Sequence, residues 1–159
     1  MIITNNNSSR VGGIATTLDR FIEAQEKDYD RALSEIAKGH KESHWMWYIF
    51  PQLKGLGRSY MADYYGIDGI EEAKEYWSDY KLHIRLKAIT SELLNHTDKT
   101  AIEILGETDA KKLESCLTLF EYISDEPVFS IVLDEFFEGE RDEVTLKMLK
   151  EETSDRRLF

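Results

Sequence analysis

From Leu18 onward, apolar positions recur at the period of a helix. Leu18, Phe21 and Ile22 open a stripe, and Tyr29, Ala32, Leu33 and Ile36 continue it with i, i+3, i+4, i+7 spacing. Gly39 follows where such a helix would stop. Asp68 and Glu71 have the spacing of a capping box and predict a helix through Tyr76 and Trp77. Leu82, Leu86, Ile89 and Leu93 keep one face of a longer helix apolar, and Ala101, Ile104 and Leu105 mark a shorter one closed by Gly106. Leu113, Cys116, Leu117 and Phe120 form the next stripe. Pro127 suits the first turn of a helix carrying Val128, Phe129, Val132, Leu133, Phe136 and Phe137, with Gly139 behind it. A short last helix starts near Asp142. No hairpin signal with alternating flanks and no internal repeat interrupts the pattern. The expectation is an all-α fold, a compact single-domain bundle of about eight to ten short helices over residues 17–150. Residues 1–16 are polar, lack a hydrophobic period and read as a disordered N-terminal arm. Residues 151–159 read as a frayed helix end and C-terminal tail.

One segment departs from simple striping. "SHWMWYIFPQLKGLGRSY", from Ser43 to Tyr60, places two of the three tryptophans beside a histidine, a proline and two glycines. Ser43 is the expected N-cap, and Pro51 disfavours helix at Phe50, so the helix is about two turns long. Its apolar residues wrap nearly all round, which buries Trp45, Met46, Ile49 and Phe50 centrally. His44 falls in the first turn, where the helix dipole favours the neutral imidazole. Such a group can hydrogen-bond, transfer a proton as general acid or base, or simply support the fold. Trp47 brings an indole N–H that a cleft satisfies as readily as a core. In the turn, Gly55 and Gly57 permit positive φ and free backbone N–H groups, Ser59 opens a new helix, and Lys54 and Arg58 flank it. A tight turn and an anion-facing loop are both consistent with that composition. Gln25 and Thr118 are polar residues on otherwise apolar stripes, as in buried networks or ligand pockets.

Composition narrows the classes. The formal charge is −11 with no basic patch, which excludes nucleic acid and acidic membrane surfaces as partners. No apolar run approaches the ~18–20 residues that span a bilayer. The start of the chain lacks a basic region followed by an apolar stretch, and the single cysteine, Cys116, precludes an internal disulfide and a Cys-rich zinc site. These features predict a cytoplasmic protein. His/Glu spacing for a protein-built metal site is absent, as are complete Walker and Rossmann patterns, so neither a metal nor a cofactor is expected.

"HWMWYIFPQLKGLGRS", with "LDRFIEAQEKDYDRAL" before it and "ILGETDAKKLESCLTLF" after it, resembles the DUF1810 family, small and mainly bacterial proteins, some of which carry the name calpastatin. The resemblance spans about Leu18 to Leu149, with Tyr48 standing where the family usually has phenylalanine. It implies a compact helical fold and no particular activity. Calpastatin is a long disordered inhibitor, whereas this composition is that of a folded domain. The family pattern marks Gln25, His44, Gln52, Ser59, Asp109, Lys112 and Thr118 as polar positions to suspect.

Two functions are therefore carried forward. The first is a pocket for a small anionic metabolite, such as a nucleotide or an NAD-derived compound. Trp47 or Trp45 would form an aromatic wall, the turn from Lys54 to Ser59 would face the anion, and His44 would act if a reaction follows. The alternative is a protein–protein interaction module without catalysis. Either way, the chain is predicted to pass through heparin or duplex-DNA columns at physiological salt, because phosphate neutralisation supplies most non-specific affinity. Salt-sensitive retention would contradict the charge argument.

Overall fold

Most of the predicted stripes fold as helices, and most helices start where a side chain can occupy the free N–H groups of the first turn. The computed structural model describes residues 18–157, with side chains through Asp155. The predicted arm at 1–16 and the last two residues of the tail lie outside the described residues. The order is α1 (Asp19–Ala37), α2 (Met46–Ile49), α3 (Tyr60–Tyr64), α4 (Gly69–Ser78) and α5 (Tyr80–Glu92), which runs into a 3-10 turn at Leu93–His96. Then come α6 (Ala101–Leu105), α7 (Glu107–Ile123), α8 (Pro127–Phe137) and α9 (Glu143–Arg157). Among the described residues the extended pairing consists of a lone parallel bridge between Leu53 and Ile67. The all-α expectation holds.

Several caps follow from sequence. Asp79 accepts the Leu82 N–H at 3.0 Å, and Thr100 with Glu103 forms a reciprocal capping box. Pro127 occupies the first turn of α8, as predicted. The box expected at Asp68 and Glu71 does not form. Glu72 instead accepts the Asp68 N–H at 2.8 Å, while Glu152 of α9 accepts the Ile70 N–H at 3.0 Å. That contact explains why α9 continues to Arg157, where the pattern suggested a frayed end: its distal turns are fastened to the start of α4.

α7 is the central element, packed against α4, α6, α8 and α9, while α1 lies against α2 and α5. A relay of rings crosses the interior. Phe21 meets Tyr76 edge-on at 5.1 Å, Tyr76 meets Phe120 at 5.2 Å, and Trp77 meets Phe129 at 5.2 Å. Gln25 belongs to this core: it is 2% exposed and donates to the Tyr48 carbonyl at 2.8 Å and the Tyr76 hydroxyl at 3.0 Å.

Trp45, Met46, Ile49 and Phe50 are buried as predicted, but the route into them differs. α2 is a single turn, and its cap position is Trp45 rather than Ser43. Ser43 donates its hydroxyl to Glu35 at 2.6 Å, and the same carboxylate accepts the N–H groups of Glu42 at 2.8 Å, Ser43 at 2.9 Å and the Trp45 indole at 2.8 Å. Burial pushes the Glu35 pKa up, but the Ser43, Glu42 and Trp45 hydrogen bonds outweigh it and hold the group at about 2. A carboxylate depressed below its unfolded value contributes stability above that value and loses it as pH falls toward the folded pKa. The expected gap between wild type and Glu35→Gln is therefore about 3 kcal/mol near pH 6, shrinking by roughly half near pH 3. Urea unfolding at the two pH values measures it, and a gap independent of pH would refute the assignment.

Candidate functional site

The turn after Pro51 is fixed from below. The Lys54 N–H donates to the Ile67 carbonyl at 2.8 Å, and the Ile67 N–H to the Gln52 carbonyl at 2.9 Å. The two strands of chain come so close that a Cβ on Gly66 would lie 2.6 Å from the Lys54 Cα. Arg20 holds the far side of this junction. It donates to the carbonyls of Tyr64 at 2.7 Å and Gly66 at 2.8 Å and pairs with both Glu72 oxygens at 3.0 Å.

Gly55 has the expected positive φ of 101°, but Gly57 does not. Gly57 is required for a different reason: a Cβ there would sit 2.6 Å from the Ala62 Cβ. Ser59 caps α3 as predicted, accepting the Ala62 N–H at 3.1 Å. That helix has five residues, too short to present a useful dipole. The free donors of the turn are loop N–H groups: those of Gly57, Arg58 and Ser59 make no hydrogen bond among the described residues.

The turn forms one wall of an open cleft of about 510 Å³. Gln52, Gly55, Gly57, Arg58 and Ser59 line it, and α7 supplies the opposite wall with Thr108, Lys111, Lys112 and Ser115. Asp142 and Val144, at the start of α9, close one end. Thr108, Lys111, Lys112 and Ser115 lie at helical spacing on one face of α7. The apolar period of α7 does not reveal that stripe; its signal is the polar period at Thr108, Lys111, Lys112 and Ser115. Three cations face one carboxylate here, in a chain that is otherwise strongly acidic. Among the described residues, Arg58 and Lys111 take part in no ion pair. Ser115 is 6% exposed, lines the cleft and makes no side-chain hydrogen bond among the described residues.

The other predicted residues lie elsewhere. His44 is exposed on a bend before α2, not in its first turn, and does not line the cleft. Trp47 is half-buried behind Lys112, whose Nζ stands 5.3 Å from the ring centre. The cleft therefore has no aromatic wall. Asp109 pairs with Lys41 at 2.9 Å and Lys112 at 3.5 Å, and Lys41 in turn lies over the Trp45 ring at 4.9 Å. Thr118 is buried, donating to the Glu114 carbonyl at 2.7 Å and accepting the Asp142 N–H at 3.0 Å. Lys54 is exposed and outside the lining. No group of residues suited to a metal occurs among the described residues, and none of their helices is long and apolar enough to cross a membrane.

A family model described as "Protein of unknown function (DUF1810)" matches residues 15–149. The chain is also similar to the crystal structure of the conserved hypothetical protein Rv1873 from Mycobacterium tuberculosis. The two share 37% identity over 84% of this chain and 96% of that one, with a TM-score of 0.82. No curated protein matches.

Gly57→Ala tests whether the turn needs its close approach to α3. The substitution is expected to cost about 1–3 kcal/mol by overpacking, read by urea unfolding. A neutral result would mean that the wall yields.

Proposed function

Because the chain belongs to DUF1810, a family whose description assigns no activity, we propose a function from the cleft itself: it binds a small anionic metabolite through the anion. The observation that carries this reading is the set of donors left open on one cleft, Ser115 among them. Its residue is largely buried, yet its hydroxyl has no protein partner among the described residues and reaches the cleft, where a ligand can take the place of water. Arg58, Lys111 and Lys112 supply charge, and the Gln52 amide and the loop N–H groups supply direction. The aromatic wall expected for a nucleotide is missing, so recognition centres on the charged group. The reading is one of binding, since His44 is not among the groups that would meet the ligand.

A second reading, protein association without chemistry, draws on a different face. Tyr60 and Tyr64 are exposed and stack at 5.9 Å with their planes 14° apart. Solvent-facing aromatic pairs of this kind suit a protein partner.

A thermal-shift panel of phosphate, sugar phosphates, nucleotides and ADP-ribose separates the two. A binder at about 100 times its Kd should stabilise the fold by about 2.7 kcal/mol, a rise of roughly 5–10 °C. Joint Arg58→Ala and Lys112→Ala replacement should abolish the shift, while Tyr60→Ser with Tyr64→Ser should leave it intact. A blank panel, or a shift that survives loss of both cations, would reject the cleft as an anion site.

A further inference from the structure

The two ends of the cleft differ in kind. α7 orders its own lining residues. Lys112 lies about one and a half turns before Thr118, which accepts the Asp142 N–H, so Lys112 and Asp142 stand toward different ends. Arg58 and the free N–H groups belong to the facing turn. Asp142 closes the other end. One of its oxygens, Oδ2, is occupied, accepting the Thr145 N–H at 2.9 Å and hydroxyl at 2.6 Å. The second, Oδ1, receives no hydrogen bond among the described residues. Negative charge gathers beside it. The Glu114 carboxyl is held above its usual range by burial and then by the like charge of Asp142, with Lys111 opposing and Glu140 adding to the rise. A ligand that was anionic throughout would meet repulsion here, whereas one with a hydroxyl at this end would fill a vacant acceptor.

The lining also limits the body between the ends. Its larger apolar side chains are Leu56, Ala62 and Val144, and it contains no ring on which a base could stack. Three cations suit the dianion of a phosphate monoester better than a single carboxylate. Resting on the binding function proposed above, we infer that the cleft takes a phosphate monoester on a hydroxyl-rich, non-aromatic body. This is a sugar or polyol phosphate, with the phosphate at Arg58 and Lys112 and a ligand hydroxyl donating to Asp142.

Calorimetric titration of the full chain with inorganic phosphate, ribose 5-phosphate and AMP tests the assignment. Asp142→Asn is the informative variant, because asparagine caps a helix as well as aspartate does and removes the charge. An unchanged thermal midpoint confirms that it folds, and Asp142→Ser, another good cap, serves if it does not. Ribose 5-phosphate is expected to bind at least tenfold more tightly than phosphate, and AMP no more tightly than ribose 5-phosphate. Asp142→Asn should weaken ribose 5-phosphate about tenfold and leave phosphate unchanged or tighter. Tighter binding of AMP than of ribose 5-phosphate would overturn the inference, as would Asp142→Asn improving both anions equally. In those cases phosphate binding that Arg58→Ala abolishes would still uphold the anion site. Absence of binding by all three probes would remove the site reading and this inference with it.

Discussion

The placement of the aromatic segment depends on one carboxylate. Residues 42–45 form no helix of their own, so their N–H groups have no ladder to join. Glu35 supplies the acceptors: Oε1 takes two backbone N–H groups and the Trp45 indole, and Oε2 takes the Ser43 hydroxyl. A glutamine could keep these contacts, with its oxygen on the three N–H groups and its amide hydrogens turned to the Ser43 hydroxyl oxygen, but it would lose the negative charge that strengthens them. With the indole satisfied, Trp45 can be wholly buried, and Lys41 can lie across its ring and reach Asp109 at the head of α7. The knot at Glu35 therefore fixes α1, the aromatic turn and one wall of the cleft relative to one another.

Arg20 and Glu72 make a second knot for the opposite wall. The guanidinium spans the carbonyls of the 64–66 turn and the Glu72 carboxylate, and the Leu53–Ile67 bridge passes that position on to the glycine turn. Largely buried ion pairs of this kind contribute little net stability against apolar substitutes, but breaking one partner is expensive. Their consequence here is geometric. Both walls are held by charge-assisted hydrogen bonds at their bases, which leaves the Arg58, Lys111 and Ser115 side chains without a structural hydrogen bond or ion pair among the described residues.

The periodic part of the fold was legible because burial imposes its period on the sequence. The stripes of α1, α5, α7 and α8 all face inward as read, and Ser59, Gly106 and Pro127 act at the helix ends where they were expected. What the pattern could not supply is contact between distant segments. Ser43 reads as a cap until Glu35, eight residues earlier, claims its hydroxyl. Asp68 and Glu71 read as a box until Glu72 takes the Asp68 N–H and Glu152 of α9 takes the Ile70 N–H of the same first turn. The site divides along the same line. Gln52, Gly55, Gly57, Arg58 and Ser59 are adjacent in sequence and were found together, and Lys112 was marked by the family pattern alone. Ser115, Lys111 and Asp142 reach the cleft only through packing of α7 and α9 against the turn. Gln25 and Thr118 illustrate the reverse error. Polar residues on apolar stripes do need partners, but theirs are backbone and core groups rather than a ligand.

On the proposed reading, a cationic cleft in a chain of formal charge −11 also favours small ligands. Charges more than a Debye length away, about 8 Å at physiological salt, are largely screened. On that reading, an anion with the dimensions of one phosphate group beside Arg58, Lys111 and Lys112 would feel those cations together with the Asp109 carboxylate that pairs with Lys112 at 3.5 Å. A polyanion long enough to leave the cleft would lie along carboxylate-rich surface and be repelled by each further charge. The same distribution that disfavours nucleic acid over most of the molecule leaves, on the proposed reading, a local attraction for a compact anion. With cations and the Asp142 carboxylate lining one cleft, the proposed ligand would be oriented by charge before shape has any say: its anion would be drawn away from Asp142, and whatever it carries there would have to donate a hydrogen bond.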